Sequence, residues 1–357
     1  MRDFLRDKTI QSLTELDSDQ IQPASLDLRL GRKAYRIRAS FLPGREATVA
    51  EKLANFSMRE IDLADGAVLE RGCVYLVQLQ EHLALRRGVS GLANPKSSTG
   101  RLDVFTRLIT DRSDEFDRVR PAYKGPLYLE IAPRTFSILA RSGARLAQLR
   151  LRRGSPLSTD TALRRLQEEV TLVHAEDAGR RIDNGIPVTV DLKGDAPGAI
   201  IGWRAKPYTD LIDLDRIGGY DPHDFWDPVH ANARSDLILD PNGFYILASR
   251  EAVTVPPDQA AEMAPFNPVH GEFRVHYAGF FDPGFGWAEA GGQGSRAVLE
   301  VRSFEVPFVI EDGQIVARLM YEKMAERPER LYGQGIGSNY QRQGLKLGKQ
   351  FKPLATT

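Results

Sequence analysis

The sequence predicts an all-β fold laid down twice in tandem. Three observations predict it: short apolar runs broken by many Gly and Pro residues, little helical periodicity, and a block of residues that recurs 170 positions further on. Runs such as Val74-Tyr75-Leu76-Val77, Phe244-Tyr245-Ile246-Leu247 and the stretch from Phe304 to Ile310 are rich in β-branched and aromatic residues. The 31 Gly and 21 Pro residues cut them to strand length. Apolar residues three and four apart, the helical signature, occur only near Arg6 to Leu16 and near Thr159 to Val170. Helices are expected at those two places, the second within a linker that follows Gly154-Ser155-Pro156.

The recurrence fixes the organisation. Val68-Leu69-Glu70 through Tyr75 resembles Ile238-Leu239-Asp240 through Tyr245, and Glu81 falls opposite Glu251. Tyr128-Leu129-Glu130-Ile131 resembles Val298-Leu299-Glu300-Val301 at the same offset, and Gly143 and Gly313 stand at matching places beyond them. Two blocks in one register imply duplication of one β domain. The expected parts are a first repeat over 1–155, a linker over 156–174, a second repeat over 175–328 and a C-terminal arm over 329–357.

Bulk composition narrows the partners. Lys plus Arg equals Asp plus Glu at 48 each, so no net field draws the chain to nucleic acid or to an anionic membrane, and any polyanion must be gripped locally. No apolar stretch approaches membrane-spanning length and the first residues form no signal peptide, which predicts a cytoplasmic protein. The single cysteine, Cys73, excludes an internal disulfide and every metal motif that needs paired thiolates. It lies opposite Gly243 with no charged cluster to activate it, and is expected to be buried and inert.

One loop carries anion chemistry. Pro95-Lys96-Ser97-Ser98-Thr99-Gly100-Arg101 gathers hydroxyls, a glycine and two cations, and lacks the G-x-x-x-x-G-K-[ST] pattern of a P-loop. Backbone N–H groups near Gly100 can approach an anion closely, Ser97 and Ser98 add hydroxyl donors, and the Arg101 guanidinium can grip two oxygens. A solvated basic turn has the same composition, so the loop acquires meaning from its neighbours.

Those neighbours carry a family resemblance. Ile21-Gln22-Pro23-Ala24-Ser25-Leu26-Asp27-Leu28-Arg29-Leu30-Gly31 resembles the opening motif of the dCTP deaminase branch of the dUTPase superfamily. The Lys96 to Arg101 loop resembles its second motif. Asp282-Pro283-Gly284-Phe285 followed by Val298-Leu299-Glu300 resembles the third, and Tyr332 with Tyr340-Gln341-Arg342-Gln343-Gly344 resembles the arm that closes over nucleotide. The resemblance covers nearly the whole chain and implies a duplicated β-clip, each half a distorted barrel of short, mostly antiparallel strands. It implies hydrolytic deamination of dCTP to dUTP and ammonia, feeding dUMP and thymidylate synthesis. A dUTP diphosphatase, a bifunctional enzyme and a non-catalytic nucleotide sensor stand as alternatives.

The motifs are divided between the repeats. The first keeps Ser97, Arg101 and Glu130, but Arg120-Pro121-Ala122 stands where the family has Asp-Pro-Gly. The second keeps His276-Tyr277-Ala278-Gly279, Asp282 and Glu300, but its loop Phe266-Asn267-Pro268-Val269-His270-Gly271 contains no Ser, Thr, Lys or Arg. Since sites in this superfamily form between neighbouring β domains, a composite site is expected. Lys96, Ser97, Ser98, Thr99, Gly100 and Arg101 would face Asp282, Ala278, Val298 and Glu300, with Tyr332 and Gln343 from the arm. The rival is a site between first repeats of different chains that uses Glu130.

Deamination needs water at C4, a proton on N3 and a proton for departing ammonia, and one carboxyl group can serve all three steps. Zinc deaminases use H-x-E and P-C-x-x-C, which one cysteine cannot supply. The resemblance implies Glu300 as acid and base, Ser97 and Arg101 aligning water and phosphates, and Asp282 holding the deoxyribose. An apolar wall beside Glu300 would raise its pKa toward neutrality, whereas a structural ion pair with Arg296 or Arg302 is the plain reading of a strand glutamate. Magnesium is expected only through the substrate's triphosphate, and the protein is expected to assemble as a homo-oligomer, trimer or dimer. The segment Asp221 to His230 holds five metal-capable side chains, though two prolines and a tryptophan suggest an ordered loop. Asn339 stands where the family commonly has a phosphate-contacting lysine, a loss that Arg342 or Lys346 could offset.

Overall fold

A computed structural model describes residues 2–175, 181–265, 273–276, 279–290, 293–303, 305–334 and 345–354. The chain divides into two units. The first contains residues 1–155 with 207–220 and 348–357, and the second contains 156–206 and 221–347.

The first unit is built on a sheet whose path runs Val104–Thr110, Lys124–Pro133, Val74–Ala84, Leu26–Ile37, Arg145–Arg153, Val89–Pro95 and Arg118–Val119. The two ends of that path approach each other through Asp117. Its N–H donates to the Leu108 carbonyl at 2.9 Å, and its carbonyl accepts from the Ala93 N–H at 2.8 Å, so the ladder curls toward a closed barrel. Leu26, Leu28 and Leu30 point to one face with no exposed surface. The opposite face of the same strand is buried too, and its side chains are Asp27 and Arg29. A buried face that carries charge needs partners. Glu81 supplies them for Arg29: Oε1 accepts from Nε at 2.9 Å and Oε2 from the backbone N–H at 2.8 Å.

The second unit distributes the same kind of ladder over a six-stranded and a four-stranded sheet. Leu247, Leu299, Val301, Leu319 and Tyr321 lie at its core. The strand registers of the two units match at the offset read from the sequence. Leu76 pairs with Glu130 and Ile246 with Glu300, and Ala147 pairs with Pro95 and Ala317 with Pro265, all at that offset, while Gln148 and Arg318 keep it and their partners Asp27 and Pro187 stand ten residues short of it. Even the irregularities recur, because a register shift skips Leu146 in the first unit and Val316 in the second.

Helices are few. Asp160–Glu169 forms where periodicity predicts one, capped by the Thr159 side chain and burying Leu163 in the second unit's core. The helix expected near Arg6 to Leu16 is a correction. Helix ends at Arg6, and Ile10–Ser12 is a strand paired to residues 81–83 at a sheet edge, where cross-strand hydrogen bonds override a weak local periodicity. Val49–Phe56 is a helix the periodicity did not reveal, although Thr48 and Glu51 form a capping box at its start. Cys73 is also corrected: it is half-buried, with its thiol 3.9 Å from the Glu70 carboxylate.

Candidate active site

The anion loop sits at the end of strand Val89–Pro95. Pairing with residues 147–153 carries the chain to Lys96, whose N–H donates to the Leu146 carbonyl at 2.9 Å. A single helical turn, Ser97–Gly100, follows. Its N–H groups close back on the loop: Thr99 and Gly100 donate to the Lys96 carbonyl at 2.8 and 3.0 Å, and Arg101 donates to Ser97 at 3.0 Å. The Thr99 hydroxyl is bound to the Leu146 carbonyl at 2.8 Å, so its role here is to fasten the turn. Ser98, Thr99, Gly100 and Arg101 are buried, whereas Lys96 and Ser97 keep partial exposure. The most exposed groups of the loop are therefore its first cation and first hydroxyl.

Sequence reasoning assigned no role to the residue that holds Lys96. Its ammonium is paired with Oδ2 of Asp27, and Oδ1 of that buried carboxylate has no hydrogen-bond partner among the described residues. Burial lifts the Asp27 carboxyl above the ordinary carboxylate range, against the opposing pull of Lys96. Lys349 lies in the same neighbourhood, and burial together with the charge of Lys96 depresses its ammonium. The segment that carries it is fixed by backbone bonds from Gly218 to Lys349 at 3.0 Å and from Gly219 to Gln350 at 2.9 Å.

In the second unit, Asp282 and Glu300 are both buried, at 7% and 6% exposure. The Asp-Pro-Gly-Phe turn is held by donation from Phe285 to the Asp282 carbonyl at 3.1 Å and from Gly284 to Val255 at 2.9 Å. Gly284 has a φ of +98°, reachable at no cost only by glycine. The Tyr332 N–H donates to the Pro283 carbonyl at 2.8 Å, and its ring lies 5.8 Å from that of Phe285, so the start of the arm is seated on this turn. Glu300 lies on strand Ser295–Ser303 between Ile246 on one side and His276 on the other, next to buried Val298. Arg296 engages Asp191, and Nη1 of Arg302 donates to the Asn242 carbonyl at 2.6 Å.

The first unit's counterparts differ in chemistry while keeping the backbone. Ala122 occupies the place of Gly284 with a left-handed φ of +61°, and Tyr123 donates to Arg120 as Phe285 does to Asp282. The side chain at the aspartate position is Arg120, exposed and bonded through Nη1 to the Arg112 carbonyl at 3.0 Å. Glu130 is fully buried and accepts from Nε of Arg107 at 3.1 Å. Ala278, Gln343, Tyr277, Tyr340, Arg342, Asn339 and the loop 266–271 lie outside the described residues. The metal-capable segment is engaged otherwise: Asp221 caps a helical turn, His230 meets the Gly198 carbonyl at 2.9 Å, and Asp227 pairs with Lys206 at 3.4 Å.

Comparison with known proteins places this geometry. The model of the N-terminal domain of 2'-deoxycytidine 5'-triphosphate deaminase matches residues 1–155, and that of its C-terminal domain matches residues 159–351. The chain belongs to the 2'-deoxycytidine 5'-triphosphate deaminase family. The crystal structure of the deaminase of that name from Agrobacterium tumefaciens is similar over 94% of this chain and 97% of its own, at 57% identity and a TM-score of 0.89. A dCTP deaminase from Halorubrum lacusprofundi is 27% identical over 146 residues, 40% of this chain and 68% of that protein. The all-β, barrel-like fold and the resemblance to the dCTP deaminase family are thereby borne out.

Proposed function

We propose that this chain hydrolyses the 4-amino group of dCTP, releasing dUTP and ammonia, with Glu300 as the proton carrier. The observation that carries the assignment is the contrast between the two Asp-Pro-Gly turns. In one, the aspartate is buried on a glycine-permitted turn. In the other, an exposed arginine has replaced the aspartate. A carboxylate can accept the deoxyribose hydroxyl, and a guanidinium cannot. Diphosphatase and sensor readings are not favoured, since both domain models and both relatives are deaminases by name.

Each repeat supplies what it retains. Lys96, Ser97 and Ser98 of the first take the triphosphate, and Ser97 and Arg101 align water and phosphates, the guanidinium also offsetting the negative charge that develops as water attacks. Asp282 of the second orients the sugar. Glu300 removes a proton from water as its oxygen attacks C4, delivers a proton to N3, and then protonates the amino group so that it leaves as ammonia. The second proton comes from the new C4 hydroxyl, whose O–H electron pair closes the carbonyl as the C–N bond breaks, while N3 keeps its proton as in uracil. Magnesium carried by the substrate's triphosphate would add to the positive charge that Lys96 supplies.

On this reading the enzyme acts in the cytoplasm as a homo-oligomer, trimer or dimer. No helix among the described residues is long and apolar enough to cross a membrane. Ammonia and pyrophosphate released from dCTP, measured separately, test the assignment. Glu300→Gln is expected to lower kcat by at least about a hundredfold, the usual scale for a lost general acid and base. Glu130→Gln is expected to leave kcat within about twofold, a change worth under half a kcal/mol in the barrier. The reverse pattern overturns the assignment, and pyrophosphate matching ammonia would reveal a second hydrolysis.

A further inference from the structure

Glu130 has kept its place in the ladder and its burial, and its surroundings give it a different occupation. The strand registers make it the counterpart of Glu300: each sits between an apolar residue on one neighbouring strand and a nitrogen-bearing residue on the other, Leu76 and Arg107 for Glu130, Ile246 and His276 for Glu300. Nε of Arg107 donates to Oε1 of Glu130 at 3.1 Å. The second oxygen, Oε2, is buried without a hydrogen-bond partner among the described residues, and the side chain is 1% exposed. The guanidinium also lies over two aromatic rings, 4.6 Å from the centroid of Phe105 and 4.1 Å from that of Phe116. Its own side chain is 29% exposed, so one edge reaches solvent while the other meets the carboxylate.

This is the recognition pattern of a planar amidine. A cytosine protonated at N3 offers a carboxylate a flat cationic edge, N3–H beside the 4-amino group, and a face for aromatic stacking. A guanidinium offers the same edge and the same face. We propose that the first repeat contains a closed copy of the pyrimidine pocket, in which Arg107 occupies the position of the substrate's amidine edge against Glu130. The proposal rests on the reading of Glu300 as the residue that faces the pyrimidine. A glutamate held by an internal cation is not available to carry protons, and Arg120 in place of the sugar-binding aspartate leaves that copy without an anchor for a nucleoside. Each chain then has one working glutamate. Removing the Arg107 side chain opens a cavity that selects small planar amidinium cations.

Binding to Arg107→Ala tests this independently of turnover. Guanidinium chloride and methylammonium chloride, each at low millimolar concentration and equal ionic strength, are titrated against the wild-type protein, Arg107→Ala and the double variant Arg107→Ala with Glu130→Gln, by calorimetry and melting temperature. The expected result is guanidinium binding to Arg107→Ala that is at least about tenfold tighter than methylammonium binding, because stacking and a two-pronged hydrogen-bonded edge are open only to the planar ion. The wild-type protein and the double variant should show no such preference. Equal affinities, no binding, or the same preference in wild type would overturn the proposal. Should Arg107→Ala not fold alone, it is refolded with either salt present. Selective recovery with guanidinium supports the closed pocket, and equal or absent recovery refutes it. An inactive Glu130→Gln enzyme would instead overturn the role given to Glu300, so the two readings fail separately.

Discussion

Gly284→Ala perturbs the turn that presents Asp282 and seats the arm. A Cβ built there would lie 2.7 Å from the Leu331 Cβ, 2.9 Å from the Tyr332 nitrogen and 3.1 Å from its carbonyl oxygen, contacts that two backbone atoms cannot relieve without moving the arm. The φ of +98° adds strain of its own, about 1–2 kcal/mol for a residue with a Cβ in the left-handed region. If the arm lifts, Leu331, now 3% exposed, loses burial worth about 1.5–3 kcal/mol. Together these come to about 3–5 kcal/mol, a fall in melting temperature of about 6–20 °C for a unit of this size. Trypsin provides a local readout. Arg330 is exposed and immediately precedes the seated Leu331, while Arg327 is protected by the proline that follows it. Gly284→Ala should accelerate cleavage after Arg330 and raise KM for dCTP more than it lowers kcat. In the first unit, Ala122 already holds a φ of +61°, and Ala122→Gly should stabilise by up to about 1 kcal/mol by removing the strain of a left-handed alanine. A Gly284→Ala protein that melts within about 2 °C of wild type and is cut at the wild-type rate would refute the reasoning, since less than about 1 kcal/mol would then have been lost.

Two further outcomes follow from buried charge. A carboxyl whose folded pKa is raised binds its proton more tightly in the folded state, so wild type should lose stability relative to Asp27→Asn as pH rises from the unfolded value of 3.8 through the raised value of Asp27. Urea unfolding from pH 4 to pH 8 should show a gap that widens by at most about 1.4 kcal/mol per pH unit and then levels off, while a flat or narrowing gap counts against the burial of Asp27. Glu81→Gln removes the buried carboxylate opposite Arg29, leaving its guanidinium the Glu15 and Thr14 carbonyls, the Ser12 hydroxyl and the exposed Asp17, and should cost about 3–5 kcal/mol. Glu251→Gln should cost less, about 1–3 kcal/mol, because that carboxylate accepts from the backbone and hydroxyl of Thr189 at 2.8 and 2.6 Å, and its arginine, Arg181, is 3.6 Å away and one-third exposed. Denaturant midpoints for the two variants decide the order.

The duplication was legible because β ladders repeat by register. Leu69 with Leu239, Glu130 with Glu300 and Gly143 with Gly313 keep their spacing since a shift of one residue would turn each strand's apolar face outward. The loss of an aspartate at Arg120 and its retention at Asp282 were equally plain, because each lies in a contiguous turn motif. Less could be read where partners are distant in sequence. No local pattern links Lys96 to Asp27, or Arg107 to Glu130, and neither pairing was anticipated. The same holds for residues 207–220 and 348–357, which return to the first unit through the parallel pairing of Ile138 with Ile212 and the bonds from Gly219 and Tyr220 to Gln350.

What the amino-acid order alone determined is therefore the fold, its repetition and the inventory of reactive groups, since strand alternation, turn chemistry and motif spacing are properties of neighbours in the chain. Tertiary structure alone decided that Glu130 faces the Arg107 guanidinium and that Lys96 rests on the buried Asp27 carboxylate. Those outcomes depend on which side chains from separate strands share one desolvated volume, where charge must find a partner across the sheet.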